Sequence, residues 1–458
     1  MKRIVFCLFL LSAPALPARA QTDGHEPGQS LSRVVEAAVR RSPKLVGSKA
    51  MVHEAEEGLT EAKSRRLPSL AAKTGFTRGN DPVYAFGTLL QQRGFRQSDF
   101  AVESLNNPRP RNDIRSSLEL GVPLFTGFEL SHGQELGSLA VDLARSRETR
   151  AFQAVRYQAS EAFLAVLLQS ELLRSVEERI RSASVEMDTA RRLAESGVVL
   201  GSDHQAALAV LGSFKARKAR LEAGLKAAVS RLAVLTGVRA EAGRLKGSLT
   251  VKEGDLPLEG DLVSSALRER SEIRQAGLEE ELAKVGRSMA DWSIAPKVDA
   301  FAAVADHTED FGSHAADAMM GVRLNLPFGD AGYLPRRARA RARVEAARAN
   351  RSDAEDEVRL EVLEAEQGFE AARQSLPLVK ETLERAAESL KLFKPLYRQG
   401  RQSVLEVLRA EEGLGRAHAG YLETLHGLRS AWARLRLAGG AFDERAVLEL
   451  EKTLEAAP

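Results

Sequence analysis

Cysteine occurs once in the 458 residues, as Cys7. A single thiol excludes an internal disulfide framework and any thiolate metal cluster. Charge of one sign is missing too. The formal net charge is +3, and Lys2, Arg3 and Arg19 account for it within a first stretch that has no acids. There is no basic excess to follow a phosphate backbone, so no nucleic-acid partner is expected. Beyond residue 20 no run of about 18 apolar residues occurs, which excludes a membrane-spanning helix. Aromatics make up only 5%. Eight histidines are scattered without a His-x-x-x-His pair. The nearest approach to a metal motif is His307 and His314 with Asp306 and Asp310, which reads as a solvated loop. No Gly-rich phosphate loop and no nucleophile elbow is present, so no enzyme activity and no cofactor are expected.

What is there is the composition of long helices: Ala, Leu, Glu and Arg dominate, and 28% of residues are charged. Residues 1–20 read as a signal peptide, with Lys2-Arg3 as the basic start, Ile4 to Leu16 as a short apolar run, and Ala18-Arg19-Ala20 as a small-x-small cleavage site. Cys7 lies inside that run. A secreted chain without a membrane helix is periplasmic, extracellular or an outer-membrane β-barrel.

A unit then runs over 21–239. Short helices end at Pro68. Strands follow at about 69–77 and 114–123, the second alternating strictly through Leu118, Leu120 and Val122. Residues 78–113 between them, rich in Asn, Pro and Gly, read as a long loop with some structure of its own. A helical pattern continues from about 128 to 196, on the order of 100 Å at 1.5 Å per residue. Ordinary globular helices are far shorter, so this is a coiled-coil or channel-scale helix. It breaks at Gly197 and restarts at about 203–236. A connector, 240–260, with strand character at Ser248–Val251, leads to a second unit at 261–440. Its strands fall at about 297–305 and 318–327, its long helix at about 335–399, and its last helix at about 402–438 after a break at Gly400. Pro377 should kink the long helix. Residues 441–458 form a weakly helical tail.

The two units are one repeat. Gly197 and Gly400 are 203 residues apart, as are Gly237 and Gly440, and Leu232 and Leu435. Pro68 and Pro296 are 228 apart, so the first unit carries its extra residues in its strand–strand loop. Two strands per unit give four per chain, too few to close a barrel, and an open sheet would leave bare edges. Three chains would supply twelve. The expected fold is mainly α with a small β part, a trimeric 12-stranded β-barrel continuing into an α-helical coiled-coil barrel. Pro123, Phe125, Pro327 and Phe328 would mark the barrel–helix junction, where aromatics suit a membrane interface. The arginine run Arg336–Arg343 lies just below the last strand, where it either meets lipid headgroups, lines the duct or forms a solvated helix face.

These elements resemble the TolC-like outer-membrane efflux protein family. The resemblance is carried by Arg66-Leu-Pro-Ser-Leu70, Gly121-Val-Pro-Leu-Phe-Thr-Gly127, Tyr397-x-x-Gly400 followed by Val404-Leu-Glu-Val-Leu408, and the duplication itself. It spans essentially the whole chain after residue 20. It implies a homotrimeric exit duct, with an outer-membrane β-barrel and a periplasmic α-helical barrel, docked on a periplasmic adaptor (membrane fusion protein) and an inner-membrane RND, ABC or MFS pump. It also implies that Gly197 and Gly400 are tip turns and that Glu406 falls on a gate aspartate. Asp203 and Tyr397 match an acid and a tyrosine that link neighbouring helices. A second family acid is Arg409 here, and the family arginine is Gln402, with Arg401 beside it. Three carboxylates at a constriction would attract cations. Glu406 and Asp203 also fit a plainer role, as acids in the first turn of a helix. The rival reading is a periplasmic coiled-coil adaptor or scaffold without its own channel; the duplicated strand pairs speak against it.

Overall fold

The computed structural model describes residues 29–195, 201–237, 242–250, 256, 260–310, 314–327, 329–399 and 401–454. The expected signal peptide, Gly197, Gly400 and Phe328 lie outside the described residues. Helices α1 (Leu31–Arg41) and α2 (Pro43–Ser64) lead into β1 (Ser69–Gly79). The segment after β1 folds into α3 (Pro82–Gln91), a 3-10 turn and α4 (Val102–Asn106) before β2 (Arg111–Phe125). Then come α5 (Glu129–Glu195) and α6 (Gly201–Thr236). The second half supplies α7 (Leu262–Glu269), α8 (Ser271–Asp291), β3 (Lys297–Thr308), β4 (Ala316–Asn325), α9 (Tyr333–Arg398), α10 (Val404–Ala438) and α11 (Glu444–Lys452).

The 67 residues of α5 and the 66 of α9 make rods of about 100 Å each. α9 runs through Pro377 and Pro395 without a break. A proline removes one backbone donor, and the helix's own ladder continues on either side of it. Leu376 beside it is buried. The tail is a firm helix rather than a frayed end: Asp443 caps it by accepting from the N–H groups of Arg445 and Ala446, and Val447 and Leu450 are buried. Residues 248–250 are not a strand; Leu245 makes an isolated parallel bridge to Gln29 instead.

Among the described residues three clusters hold the rods together, one of them a small contact of Leu172, Ala419 and Leu422 between α5 and α10. The largest gathers Phe163, Phe369, Trp432 and Phe442 with residues of α1, α7 and α11. The second lies toward the end where α5 is followed by α6 and α9 by α10, and contains Val176, Ala183, Ala207, Phe214, Leu390, Tyr397, Val404 and Leu408. Small residues at such crossings let the backbones approach.

The four strands form one antiparallel sheet in the order β1-β2-β3-β4. Leu70 opposes Leu120, and Leu120 opposes Ala302, which opposes Met320. Side chains alternate across a strand, so Leu70, Phe76, Leu118, Leu120, Val304, Met320, Val322 and Leu324 share one face. All eight are exposed. The opposite face carries Lys73, Asp113, Arg115, Ser117, Glu119, His307 and Arg323, as the same registers require. β1 and β4 are paired on one side only.

Candidate functional site: the helix tip and the strand–helix junction

At one end of the long helices, α10 starts at Val404. Ser403 precedes its first residue without a side-chain cap, and Glu406 lies in its first turn. Glu406 is half-buried. Its Oε1 is 2.7 Å from Nη1 of Arg409, three residues on along the same helix. The arginine that replaces the expected second acid therefore pairs with the first. Arg401 is exposed, and its backbone N–H donates to the Leu396 carbonyl at 2.9 Å, closing the turn. Asp203 lies in the first turn of α6, and its side chain falls outside what is described.

Tyr397 points inward. It is 3% exposed, within the second cluster. Its hydroxyl is buried with no hydrogen-bond partner among the described residues. Burial raises its pKa, and the Glu186 carboxylate adds to the shift.

Above this cluster lies a charged group that motif reading did not find. Glu411 is fully buried. Its Oε2 accepts from Arg179 Nη1 of α5 at 2.9 Å, and its Oε1 lies 2.9 Å from Lys394 Nζ of α9. Ser182 of α5 also donates to Oε1, and Lys394 Nζ donates to the Ser182 hydroxyl at 2.9 Å. One carboxylate thus ties three long helices together. Nearby, Nδ1 of His418 is 2.7 Å from the Ser175 hydroxyl. Burial, and then Arg179, lowers the pKa of His418.

At the other end, Pro123 and Phe125 sit where β2 slips register against β3: Pro123 opposes Asp299 and Phe125 opposes Val298. Proline has no N–H for the ladder, and such irregularities are where it is tolerated. The turn into α5 uses Gly127 at φ +62° and Phe128 at φ +65°. Phe128 packs edge-on to Phe125 (5.5 Å) and to Trp292 (4.8 Å). Pro327 follows β4 in the matching position. In the arginine run, Arg336 pairs with Asp330, Arg337 pairs with Asp291 at 2.6 Å, and Arg339, Arg341 and Arg343 are exposed.

His307 and His314 do not converge. His307 Nδ1 is 3.1 Å from Asp113, whereas His314 Nδ1 is 2.7 Å from Asp306. Among the described residues no group of His, Cys, Asp and Glu could hold a metal ion, and no helix is long and apolar enough to cross a membrane.

Sequence comparison with curated proteins finds no match. Solved structures match over nearly the whole chain. A structure of CusC, which forms a transmembrane channel, has a TM-score of 0.77 at 16% identity, covering 94% of this chain and 98% of that one. The open state of the MtrE outer membrane channel of Neisseria gonorrhoeae gives 0.77 at 16%, over 91% and 90%. The CmeC outer membrane channel of Campylobacter jejuni gives 0.75 at 14%, over 97% and 98%. The fold is that of outer-membrane channels. The family model described as outer membrane efflux protein matches residues 34–238 and 262–441, most of the chain in two segments, one in each half. The chain belongs to the outer membrane efflux protein family, a family of channels and not of enzymes.

Proposed function

We propose that three copies of this chain form the outer-membrane exit duct of a tripartite efflux or type I secretion system. The observation that carries the reading is the sheet. It has one exposed apolar face, one polar face and two edges paired on one side only. Water is a poor environment for the first face, and bare edges invite pairing. Twelve strands from three chains would satisfy both: edges pair between protomers, the apolar face meets lipid and the polar face lines the pore. Pro123, Phe125, Pro327 and Phe328 would then lie at the periplasmic surface of the outer membrane, with α5 and α9 running on through the periplasm.

The helices support the same assembly. Leu360, Leu363, Leu378 and Leu392 form an exposed stripe along α9. Their spacings bring them to one side of a 3.6-residue helix, which suits a neighbouring protomer. The tip, with Glu406, Arg409, Arg401, Tyr397 and Asp203, would close the periplasmic end and face the adaptor. The adaptor would couple the duct to an inner-membrane RND, ABC or MFS pump. Planar-bilayer recordings of the purified protein test this. A trimer that conducts ions is expected, and a trimer with no conductance in any state overturns the channel reading.

A further inference from the structure

Below the sheet, the helices that adjoin the strands keep the strand order. α2 packs on α5, α5 on α8 and α8 on α9, just as β1 pairs with β2, β2 with β3 and β3 with β4. Each of the three seams is laced by an acid on one helix and an arginine on the next. Arg145 of α5 lies 2.7 Å from Glu56 of α2. Arg147 and Arg150 of α5 lie 3.3 and 2.9 Å from Glu279 and Glu272 of α8. Arg337 of α9 lies 2.6 Å from Asp291 of α8, and Arg348 and Arg351 of α9 reach Glu280 of α8. α2 and α9 end the row, and each has a flank turned away from it.

Those two flanks carry opposite charge at one depth. On α2, Leu59 faces α5, where a Cβ added at Gly137 would come within 3.1 Å of it. Glu54, Glu57 and Glu61 lie about 140–160° round the helix from Leu59, and all three are exposed. On α9, Arg339 and Arg343 are one turn apart and exposed, whereas Arg337 turns to α8. At 1.5 Å per residue, the three acids lie about 5–15 Å below the sheet-side end of α2, and the two arginines about 9–15 Å below that of α9. Glu61 meets Arg65 of its own helix at 2.8 Å. Among the described residues, Glu54, Glu57, Arg339 and Arg343 have no ion-pair partner. Helix physics does not account for the arginines. From Tyr333 to Val344, α9 has five of them and no acid, at the end where the macrodipole favours acids. α5, its counterpart in the repeat, has Glu129 and Glu135 there and no arginine before Arg145.

We propose that Arg339 and Arg343 of one protomer pair with Glu54, Glu57 and Glu61 of the next, so that a fourth charged seam closes the row into a ring just below the barrel. This rests on the reading of three copies as one duct, and adds which flank meets which and by what chemistry. The occupant is a second copy because α2 supplies, at the same depth, the acids that the α9 flank lacks. Joining α2 to α2 would set acids on acids, and joining α9 to α9 would set arginines on arginines. The head-to-tail contact of α9 with α2 matches the signs, and such a contact repeated by rotation closes a ring rather than a two-fold pair. Ala338, Ala342 and Ala346, exposed beside the arginines, leave room for the neighbouring helix. A single exposed pair contributes little; the seam acts by excluding the wrong contacts.

Disulfide trapping in the full-length protein tests this. In a Cys7→Ala background, Glu57→Cys is combined with Arg343→Cys, and Glu61→Cys with Arg339→Cys. Light scattering first establishes the trimer. Copper phenanthroline is then applied, and the product is run on a non-reducing gel. At least one pairing is expected to convert most of the monomer band to covalent dimer and trimer, whereas each cysteine alone leaves it monomeric. Charge reversal gives a second readout. Arg339→Glu with Arg343→Glu should lower the temperature at which the trimer comes apart on a semi-native gel, and adding Glu57→Lys with Glu61→Lys should restore it. A trimer in which neither pairing cross-links, or one whose loosening by reversal is not rescued, overturns the seam and leaves the duct intact. So does a trimer whose arginine reversal abolishes binding to phosphatidylglycerol vesicles without moving its dissociation temperature, a result that assigns the arginines to lipid headgroups. A preparation that is not trimeric overturns the reading of the assembly, and this inference with it.

Discussion

Arg409 closes on Glu406 within one turn of α10, at 2.7 Å. The carboxylate expected to ring the pore thus carries its own counter-ion. An exposed pair at this spacing contributes only a few tenths of a kcal/mol to stability. Its effect on a pore is larger, because three such pairs at a constriction add no net charge. Arg409→Ala leaves three uncompensated carboxylates and is expected to raise the cation preference of the conductance. Glu406→Ala leaves three arginines and is expected to shift it toward anions. Reversal potentials in a salt gradient measure both; identical values in the two variants would remove the pair from the pore.

Glu411 offers a stability test. Removing one member of a buried charge group strands the others without a partner, at a cost of about 3–5 kcal/mol. Glu411→Ala leaves Arg179 and Lys394 facing each other between three helices. A clear fall in the melting temperature, followed by far-UV circular dichroism, is expected. The adjacent Glu412 is only half-buried, and Glu412→Ala should move stability by no more than about 0.5 kcal/mol. Equal effects of the two would mean that the buried group contributes nothing.

These two sites also mark what was legible in the sequence. The long helices were readable because an apolar stripe recurs at helical spacing without a breaker, and β2 because Leu118, Leu120 and Val122 alternate without a slip. Glu406 and Tyr397 stood out only through the motif that contains them. Glu411 did not stand out, since Glu411-Glu412 looks like a solvated pair. Its burial is decided by Arg179 and Lys394, more than 200 and 17 positions away along the chain respectively, and three-helix packing leaves no local signature. The segment between β1 and β2 read as a loop because its polar residues outweigh short apolar runs. Yet Asp81-Pro82 is a helix-start signal in plain view.

Glu280 on α8 predicts a pH dependence. Lys284 lies 2.9 Å from it, and Arg348 and Arg351 of α9 lie 3.2 and 3.3 Å away. The hydrogen bond from Lys284, and then those from the two arginines, hold its pKa down from 4.5 to about 2. A carboxylate with a depressed pKa contributes stability that is complete above its unfolded value and is lost as pH falls toward its folded one. The contribution is therefore full above about 4.5 and fades toward 2. Glu280→Gln should lower the melting temperature at neutral pH, and the two melting curves should converge as pH falls through that window. Curves that stay parallel from pH 5 to 2 would show that the cluster does not titrate with folding.

The two strand–helix turns separate backbone strain from crowding. Gly127 and Gly329 both have positive φ, +62° and +78°. A side chain there costs about 1–2 kcal/mol. At Gly127 a Cβ would also come within 2.8 Å of the Ala295 Cβ, whereas at Gly329 it would meet nothing within 4 Å. Ala295 belongs to the segment that carries Trp292, and Trp292 stacks on Phe128. Gly127→Ala must therefore push apart the aromatic cluster at the junction as well as strain its own backbone. Both variants should melt below the parent, Gly127→Ala the lower of the two. Only Gly127→Ala should change the near-ultraviolet circular dichroism of the tryptophan. A Gly329→Ala protein that melts as low as Gly127→Ala would show that backbone conformation alone sets the cost at this junction.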